Sequence, residues 1–544
     1  MLMSLQLIYG PSGSGKSYTL YKKIIEQSIR EPDREFIVIV PEQFTMQTQK
    51  DMIRISPGHG IMNVDVQSFV RLAFRVFSET GAGNVQVLDD LGKIMILKKV
   101  LSNKKDDLKY FGRNINKDGY ISEIKSFMSE LIQYGADENE IEKMIQASEN
   151  KTVLKYKLQD MSVAFSAFKE YIDKNYITSE ELLSVFADVI SQSGLLNGAV
   201  ICLDGFTGFT PLQYRLLREL IKIAEKVYIT VTADERESVI NKGKNYQLFF
   251  MSRKTVNNIR LIASETGVEV LGKEISQTRF GSSKELEWLE RNLFRYPYKR
   301  YNNGKECEVS DISCHVLKYA EDEIDFVVQK IKRLLVNEGC RYRDIAIVAG
   351  SLETYGNIIE HAMKKAGIAC FIDQKRGVQS SVLVRAIDAL LQIIIKDFSY
   401  EDIMDYLKGC LSWTSDGQND ILDNYLLATG IRGFKAWNRE WNTSYAYRRM
   451  TDESKEFANG IVENVRLSVI ENLSGFYEKV AKGKHTVRDY ATALVEFFER
   501  QHFYEKLMEL ADDYEENENF DMASEYRQLY DMVIEVLEKL VSIM

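Results

Sequence analysis

Ser4–Ser17 reads SLQLIYGPSGSGKS. Its first part, Ser4–Tyr9, is a short apolar run, and Gly10–Ser17 (GPSGSGKS) follows at once. The octet fits G-x-x-x-x-G-K-[ST], the P-loop pattern. Gly10, Pro11, Ser12, Gly13, Ser14 and Gly15 supply the loop whose backbone N–H groups close around a phosphate. Lys16 adds a point charge for the outer phosphates, and the Ser17 hydroxyl can hold Mg²⁺. Tyr18–Gln27 (YTLYKKIIEQ) then reads as a helix whose N-terminal N–H groups and dipole favour an anion. The bland alternative is a Gly/Ser-rich turn, but a strand before and a helix after are the context the pattern requires. The motif states what is bound. It leaves open whether that ligand is hydrolysed.

Bulk properties bound the rest. A length of 544 residues implies about three or four domains, since domains usually run ~100–200 residues. The hydrophobic share of 45% suits sizeable cores. No apolar run approaches the ~18 residues that would span a membrane, and Met1–Met3 lead straight into the first strand without room for a signal peptide. Six cysteines (Cys202, Cys307, Cys314, Cys340, Cys370 and Cys410) include no C-x-x-C pair, which suits structural cysteines in a reducing cytosol. The net charge of −10 means that any nucleic-acid contact comes from a local patch.

The N-terminal region reads as a parallel sheet. Phe36–Val40 (FIVIV) is apolar throughout, as expected of a strand covered on both faces, and Met62–Val66 (MNVDV) is a third candidate before the helical stretch Phe69–Phe77. From Asp89 to about Leu195 apolar residues recur at helical spacing. Strands resume at Ala199–Leu203 (AVICL) and Val227–Val231 (VYITV), so one α/β domain is interrupted by an inserted helical domain. A second α/β unit is expected from near residue 310. Its strands are Ile312–Leu317, Ile345–Ala349 and Ala369–Ile372, and its helices Glu321–Asn337 and Tyr355–Ala366. After about residue 397 the pattern is helical to the end.

Asp204 ends the apolar run of Ile201–Gln213 (ICLDGFTGFTPLQ). A strand-terminal Asp is what P-loop NTPases use to hold Mg²⁺ through its water shell; otherwise it is an ordinary strand-end Asp capping the next helix. Hydrolysis also needs a group that orients the attacking water, often a carboxylate beside this Asp. Here the neighbour is Gly205, and the nearest following acid is Glu219. The chemistry is half-built.

The succession of P-loop, VPEQFTMQTQ, DVQSFVRLAFRVF, helical insertion, ITSEELL and LDGFTGFTPLQ resembles the first motor domain of superfamily-one helicases of the UvrD/RecB kind. Within that group the chain is similar to the AddB-type family, the B subunits of bacterial AddAB-type ATP-dependent helicase/deoxyribonucleases. The resemblance implies an α/β fold with two RecA-like P-loop domains, the second incomplete, each with a helical insertion. Domain 1A would occupy residues 1–90 plus 198–300, and helical domain 1B residues 91–197. Domain 2A would begin over 305–397, followed by helical insertion 2B over 398–544.

The departures matter as much. Active superfamily-one motors carry Asp-Glu-x-Gln-Asp where this chain has Asp204, Gly205, Phe206, Thr207 and Gly208. Their next motif corresponds to Val231–Glu237 (VTADERE), which has no glutamine. No C-terminal nuclease acids and no four-cysteine iron–sulfur set are recognisable, so no iron–sulfur cluster is expected in this chain. The implied cofactors are ATP and Mg²⁺, the latter on Ser17 and Asp204.

In such helicases the loops at the carboxyl ends of the strands contact single-stranded DNA. Pro41–Thr45 offers Gln43 and Thr45 for hydrogen bonds and Phe44 for stacking. Ser68–Phe74 offers Ser68 and Arg71, with Phe69 and Phe74 as platforms. Phe206, Thr207 and Phe209 follow the fourth strand. Each stacked base is worth about 1–3 kcal/mol. Against this, Phe69, Leu72, Ala73 and Phe77 make one stripe at helical spacing, as a core face does.

The resemblance further implies single- and double-stranded DNA as ligands and a heterodimer with an AddA-type motor-nuclease subunit. It implies a cytoplasmic, nucleoid-associated location without a membrane, and a part in double-strand break repair by homologous recombination. The same loops would read the Chi sequence and would not drive translocation. Two other functions are open. A self-sufficient DNA-dependent ATPase motor is disfavoured by Gly205, and a P-loop small-molecule kinase by the large insertion and the second α/β unit.

Overall fold

The computed structural model describes residues 4–544 other than 82–85, 113–116, 149, 173–175, 234–243, 277–278, 296, 305–307, 375–376, 442–450 and 482. The chain divides into two compact units, residues 1–314 and 315–544.

In the first unit the chain runs through β1 (Ser4–Gly10), α1 (Lys16–Arg30), β2 (Phe36–Ile39), α2 (Thr45–Ile55), β3 (Val64–Gln67) and α3 (Phe69–Thr80). It then forms β4 (Gln86–Leu88), α4 (Asp90–Asn103), α5 (Asp118–Gln133), α6 (Glu138–Ala147), α7 (Thr152–Ile172), β5 (Tyr176–Thr178) and α8 (Leu182–Val189). It returns through β6 (Val200–Leu203), α9 (Pro211–Ile223), β7 (Lys226–Thr232), α10 (Phe250–Thr266), β8 (Glu269–Glu274) and α11 (Lys284–Asn292).

Six strands make one sheet in the order β3-β2-β6-β7-β1-β8, and every pairing in it is parallel. Both faces are buried. Leu5, Leu7, Ile37, Ile39, Ile201, Leu203 and Ile229 enter one core; Ile8, Phe36, Val38, Val200, Cys202 and Tyr228 enter the other. That double burial is why FIVI and VICL read as uninterrupted apolar runs. The strand β6 thus pairs with β2, although the helices of residues 90–189 separate them in sequence.

Two features departed from the periodicity. The helix α8 packs Leu182, Phe186 and Ala187 into the sheet's core, with Phe186 edge-on to Phe77 at 6.4 Å. The helix α8 thus packs against the sheet ahead of β6 in the chain. The strand β8 (EVLGKE) is an exposed edge, so it carries no hydrophobic signal; its backbone pairing with β1 is what makes it a strand.

In the second unit α12 (Ala320–Glu338) and α13 (Leu352–Ala366) form where helices were expected, sharing a small core of Ile324, Val328, Ile331, Ile359, Met363 and Ile368. The helices between Val382 and Ile543 build a separate large core. The expected strands at 312–317, 345–349 and 369–372 do not form; among the described residues this unit has no strand. Backbone N–H and C=O groups need a ladder partner to make a strand, and these segments have none. Their side chains are correspondingly open to water: Val316 is 93%, Val348 94% and Phe371 89% exposed. A groove of about 610 Å³, lined in part by Ile345, Ile347, Phe371 and Ile372, runs between two of them. Among the described residues no helix is long and apolar enough to cross a membrane.

Candidate nucleotide site

The octet after β1 forms a loop and the start of α1. Gly13 (φ +75°) and Gly15 (φ +84°) take left-handed conformations that a side chain would strain. Gly10 is required for space, because a Cβ there would collide with the Ile275 carbonyl. The Ser14 N–H donates to the Pro11 carbonyl (3.3 Å), and the Thr19 N–H to Gly15 (2.9 Å). Pro11 is half-buried and Ser12 exposed. No side chain caps α1 and no acid lies in its first turn, so its positive end is left for an anion.

The Lys16 side chain is nearly buried, and its Nζ donates to the carbonyls of Gly10 (3.1 Å) and Pro11 (2.8 Å). Burial lowers its pKa, opposed by the charges of Asp204 and Glu290. The buried Ser14 Oγ has no hydrogen-bond partner among the described residues. An orphaned hydroxyl and an ammonium group whose bonds, among the described residues, go to the loop's own carbonyls both fit a cradle shaped for phosphate.

Asp204 follows β6 and is buried. The hydroxyls of Ser17 (3.0 Å) and Thr230 (2.5 Å) donate to its Oδ1, and that of Tyr21 (2.5 Å) to its Oδ2. Thr230 lies on β7, between β6 and β1, so the ends of three adjacent strands converge here. Gly205, directly after Asp204, has φ +80°. Among the described residues no group of three or more His, Cys, Asp or Glu could hold a metal, so Mg²⁺ here would depend on Ser17, Asp204 and the phosphates themselves.

The strand-end loops sort into two groups. Gln43, Phe44, Arg71, Phe74 and Thr207 are exposed, and Phe206 and Phe209 are half-buried. Thr45 is buried and donates to the Glu42 carbonyl (3.0 Å). Ser68 is buried and caps α3 by accepting from the Arg71 N–H (3.3 Å). Phe69 is only 6% exposed, and its ring backs Phe206 at 5.4 Å. Thr45 and Ser68 thus spend these hydroxyls on nearby backbone, and Phe69 lies on the buried stripe of α3. Phe206 continues onto Phe209 (5.2 Å), and Phe209 in turn onto Tyr214 (5.7 Å). The Arg71 guanidinium lies 3.7 Å from the Glu42 carboxylate.

The family described as "ADDB, N-terminal" matches residues 7–290, more than half of the chain. The chain belongs to the AddB family. It is similar to the B subunit of the ATP-dependent helicase/deoxyribonuclease of Lachnoclostridium phytofermentans, at 39% identity over 100% of this chain and 47% of the relative. The protein of the same name from Clostridium novyi is 32% identical over 99% of this chain and 46% of its own length. That of Acetivibrio thermocellus is 31% identical over 100% and 47%. The chain spans about half the length of the curated relatives it matches.

Four residues of this AddB-family site escaped the motif. Tyr21 stands one helical turn after Ser17, a spacing that puts both on one face of α1. Thr230 is the polar residue inside the apolar run VYITV. Arg279 lies beyond β8, donates its N–H to the Gly13 carbonyl (3.3 Å) and lays its side chain over Gly13. Glu290, on α11, is near enough to act on Lys16. The last two follow an edge strand without apolar signal, so only the fold brings them to the loop. The expected motif counterpart Val231–Glu237 is described only through Ala233; Asp234–Glu237 lie outside the described residues, as does Cys307.

Proposed function

We propose that this AddB-family chain is the helicase-like, ATP-binding and single-stranded-DNA-binding part of the B-type component of a helicase/deoxyribonuclease. The relatives are named as B subunits of an ATP-dependent helicase/deoxyribonuclease, which supports ATP as ligand, DNA as substrate and a companion chain. In this reading residues 1–90 with 198–300 are a RecA-like domain, 91–197 its helical insertion, 305–397 the start of a second such domain and 398–544 the helices that follow it. The companion is an AddA-type motor-nuclease, and the setting is double-strand break repair by recombination.

The observation that carries the reading is the junction of Ser17 with Asp204 (3.0 Å) beside a left-handed Gly205. The loop N–H groups and Lys16 bind the phosphates of ATP. Ser17 and Asp204 hold Mg²⁺, which neutralises phosphate charge when bound. No carboxylate follows Asp204 to orient water, so the nucleotide braces the first unit and is turned over slowly or not at all. Phe44, Phe74, Phe206 and Phe209 stack on bases, and Gln43, Arg71 and Thr207 contact the strand, reading Chi as it passes.

The test is nucleotide binding, ATP turnover and DNA binding by the purified chain, alone and with its companion. The expected result is ATP binding that Lys16→Ala removes, weak turnover with or without single-stranded DNA, and companion ATPase largely intact in the Lys16→Ala complex. Brisk DNA-stimulated hydrolysis by the chain alone supports the motor reading instead.

A further inference from the structure

The Asp204 carboxylate has more partners than a metal-holding Asp needs. A carboxylate offers about four lone-pair positions. Three are taken by hydroxyl donors: Ser17 and Thr230 on Oδ1, and Tyr21 on Oδ2. These donors are not equivalent. Ser17 adjoins Lys16 and is the hydroxyl a P-loop gives to the metal; its oxygen would take the metal through a lone pair while its hydrogen goes on donating to Asp204. Thr230 is fixed on a central strand. Tyr21 is buried in the core between α1 and the sheet with Ile8, Ile24 and Met52, and its oxygen also lies 3.4 Å from Thr48 Oγ1.

From this geometry we infer that Tyr21 is a positioning residue for the metal–nucleotide pair. It ties down one of the two positions on Oδ2 of Asp204 and so fixes the carboxylate's orientation, leaving the remaining lone pair to accept from a metal-bound water. One consequence follows. The metal and the nucleotide would be retained together, because the carboxylate is already held in place beside Ser17. Tyr21→Phe keeps the ring and its packing while deleting the donor. The inference rests on the nucleotide reading given above.

The experiment is equilibrium binding of a fluorescent ATP analogue to the full chain, in Mg²⁺ and in EDTA, for wild type and Tyr21→Phe. The quantity read is the ratio of the two affinities. Tyr21→Phe is expected to lower that ratio about tenfold, the scale of one hydrogen bond to a charged group, while leaving the EDTA affinity near wild type. An unchanged ratio overturns the inference, as does an equal loss in both conditions, which marks Tyr21 as packing only. If Tyr21→Phe does not fold, Tyr21→Met fills the same space without a hydroxyl and carries the same comparison. Absence of binding by the wild-type chain in either condition overturns the nucleotide reading itself, and this inference falls with it.

Discussion

Gly205 faces Pro41: a Cβ on Gly205 would lie 3.5 Å from Pro41 Cδ, on a backbone already at φ +80°. The residue after Asp204 therefore occupies a conformation that suits glycine and strains any side chain. A missing acid at this position is a property of the backbone as well as of the side chain. Gly205→Glu is expected to leave ATP turnover where it was, because a glutamate here cannot adopt the backbone that would aim it. The substitution should cost about 1–2 kcal/mol of stability, the scale of left-handed strain. Phosphate release with single-stranded DNA and urea denaturation of the same preparation check both halves.

The aromatic row gives a second contrast. Phe44 is 47% exposed, and Phe206 is half-buried with Phe69 behind it. Phe44→Ala and Phe206→Ala should each weaken single-stranded-DNA binding by about 1–3 kcal/mol with the fold intact. Phe69→Ala should instead lower folding stability by about 3–5 kcal/mol, as a buried phenyl ring does. Fluorescence anisotropy with a labelled oligonucleotide, set beside chemical denaturation, separates the two. A loss of DNA affinity with Phe69→Ala alone, and none with Phe44→Ala or Phe206→Ala, would place the interface elsewhere.

On α4, the buried Lys93 ammonium donates to Glu180 (2.7 and 2.9 Å), Asp90 (3.1 Å), Ser179 (3.1 Å) and Ser129 (3.3 Å). Removing one partner of a buried pair costs about 3–5 kcal/mol, because the other charge is left stranded. Lys93→Met should show that loss, and the double variant Lys93→Met/Glu180→Leu should recover much of it. Burial by itself raises the Glu180 pKa, but the hydrogen bond and charge of Lys93 outweigh it and leave it below the ordinary value. A depressed folded pKa means that the contribution is present above the unfolded value of about 4.3 and disappears as pH falls through the folded one. The stability gap between wild type and Lys93→Met should therefore close in acid, as denaturation at stepped pH would reveal.

Val348 and Phe371, in the extended segments of the second unit, present apolar side chains to water, Phe371 at the groove. Exposed patches of this kind bind hydrophobic dyes. Val348→Glu and Phe371→Glu should cut dye fluorescence while moving stability within about 0.5 kcal/mol, since neither side chain is buried. A large destabilisation would mean that these side chains are packed.

How far the sequence could be read depended on where burial wrote the pattern. Strands β2, β6 and β7 stood out because both faces of the sheet are covered, leaving apolar runs. The exposed β8 was silent for the opposite reason, and with it went Arg279, which reaches Gly13 only through the fold. The segments at 345–349 and 369–372 carry a strand's composition without a ladder partner, and composition alone does not hold backbone groups together. The P-loop residues were legible because their chemistry is local. Tyr21 was hidden, since a tyrosine on an amphipathic helix reads as core until its hydroxyl is seen to meet Asp204.

The closeness of Gly10 to the Ile275 carbonyl carries a consequence for synthesis. Residues 10–17 precede the aspartate beside them and the edge that closes over them by long stretches of chain, so translation delivers those partners later. Contacts so distant in sequence form slowly, because a great length of chain must be gathered first. The packing around residues 10–17 is thus completed late in the life of each molecule, once Ile275 has been made.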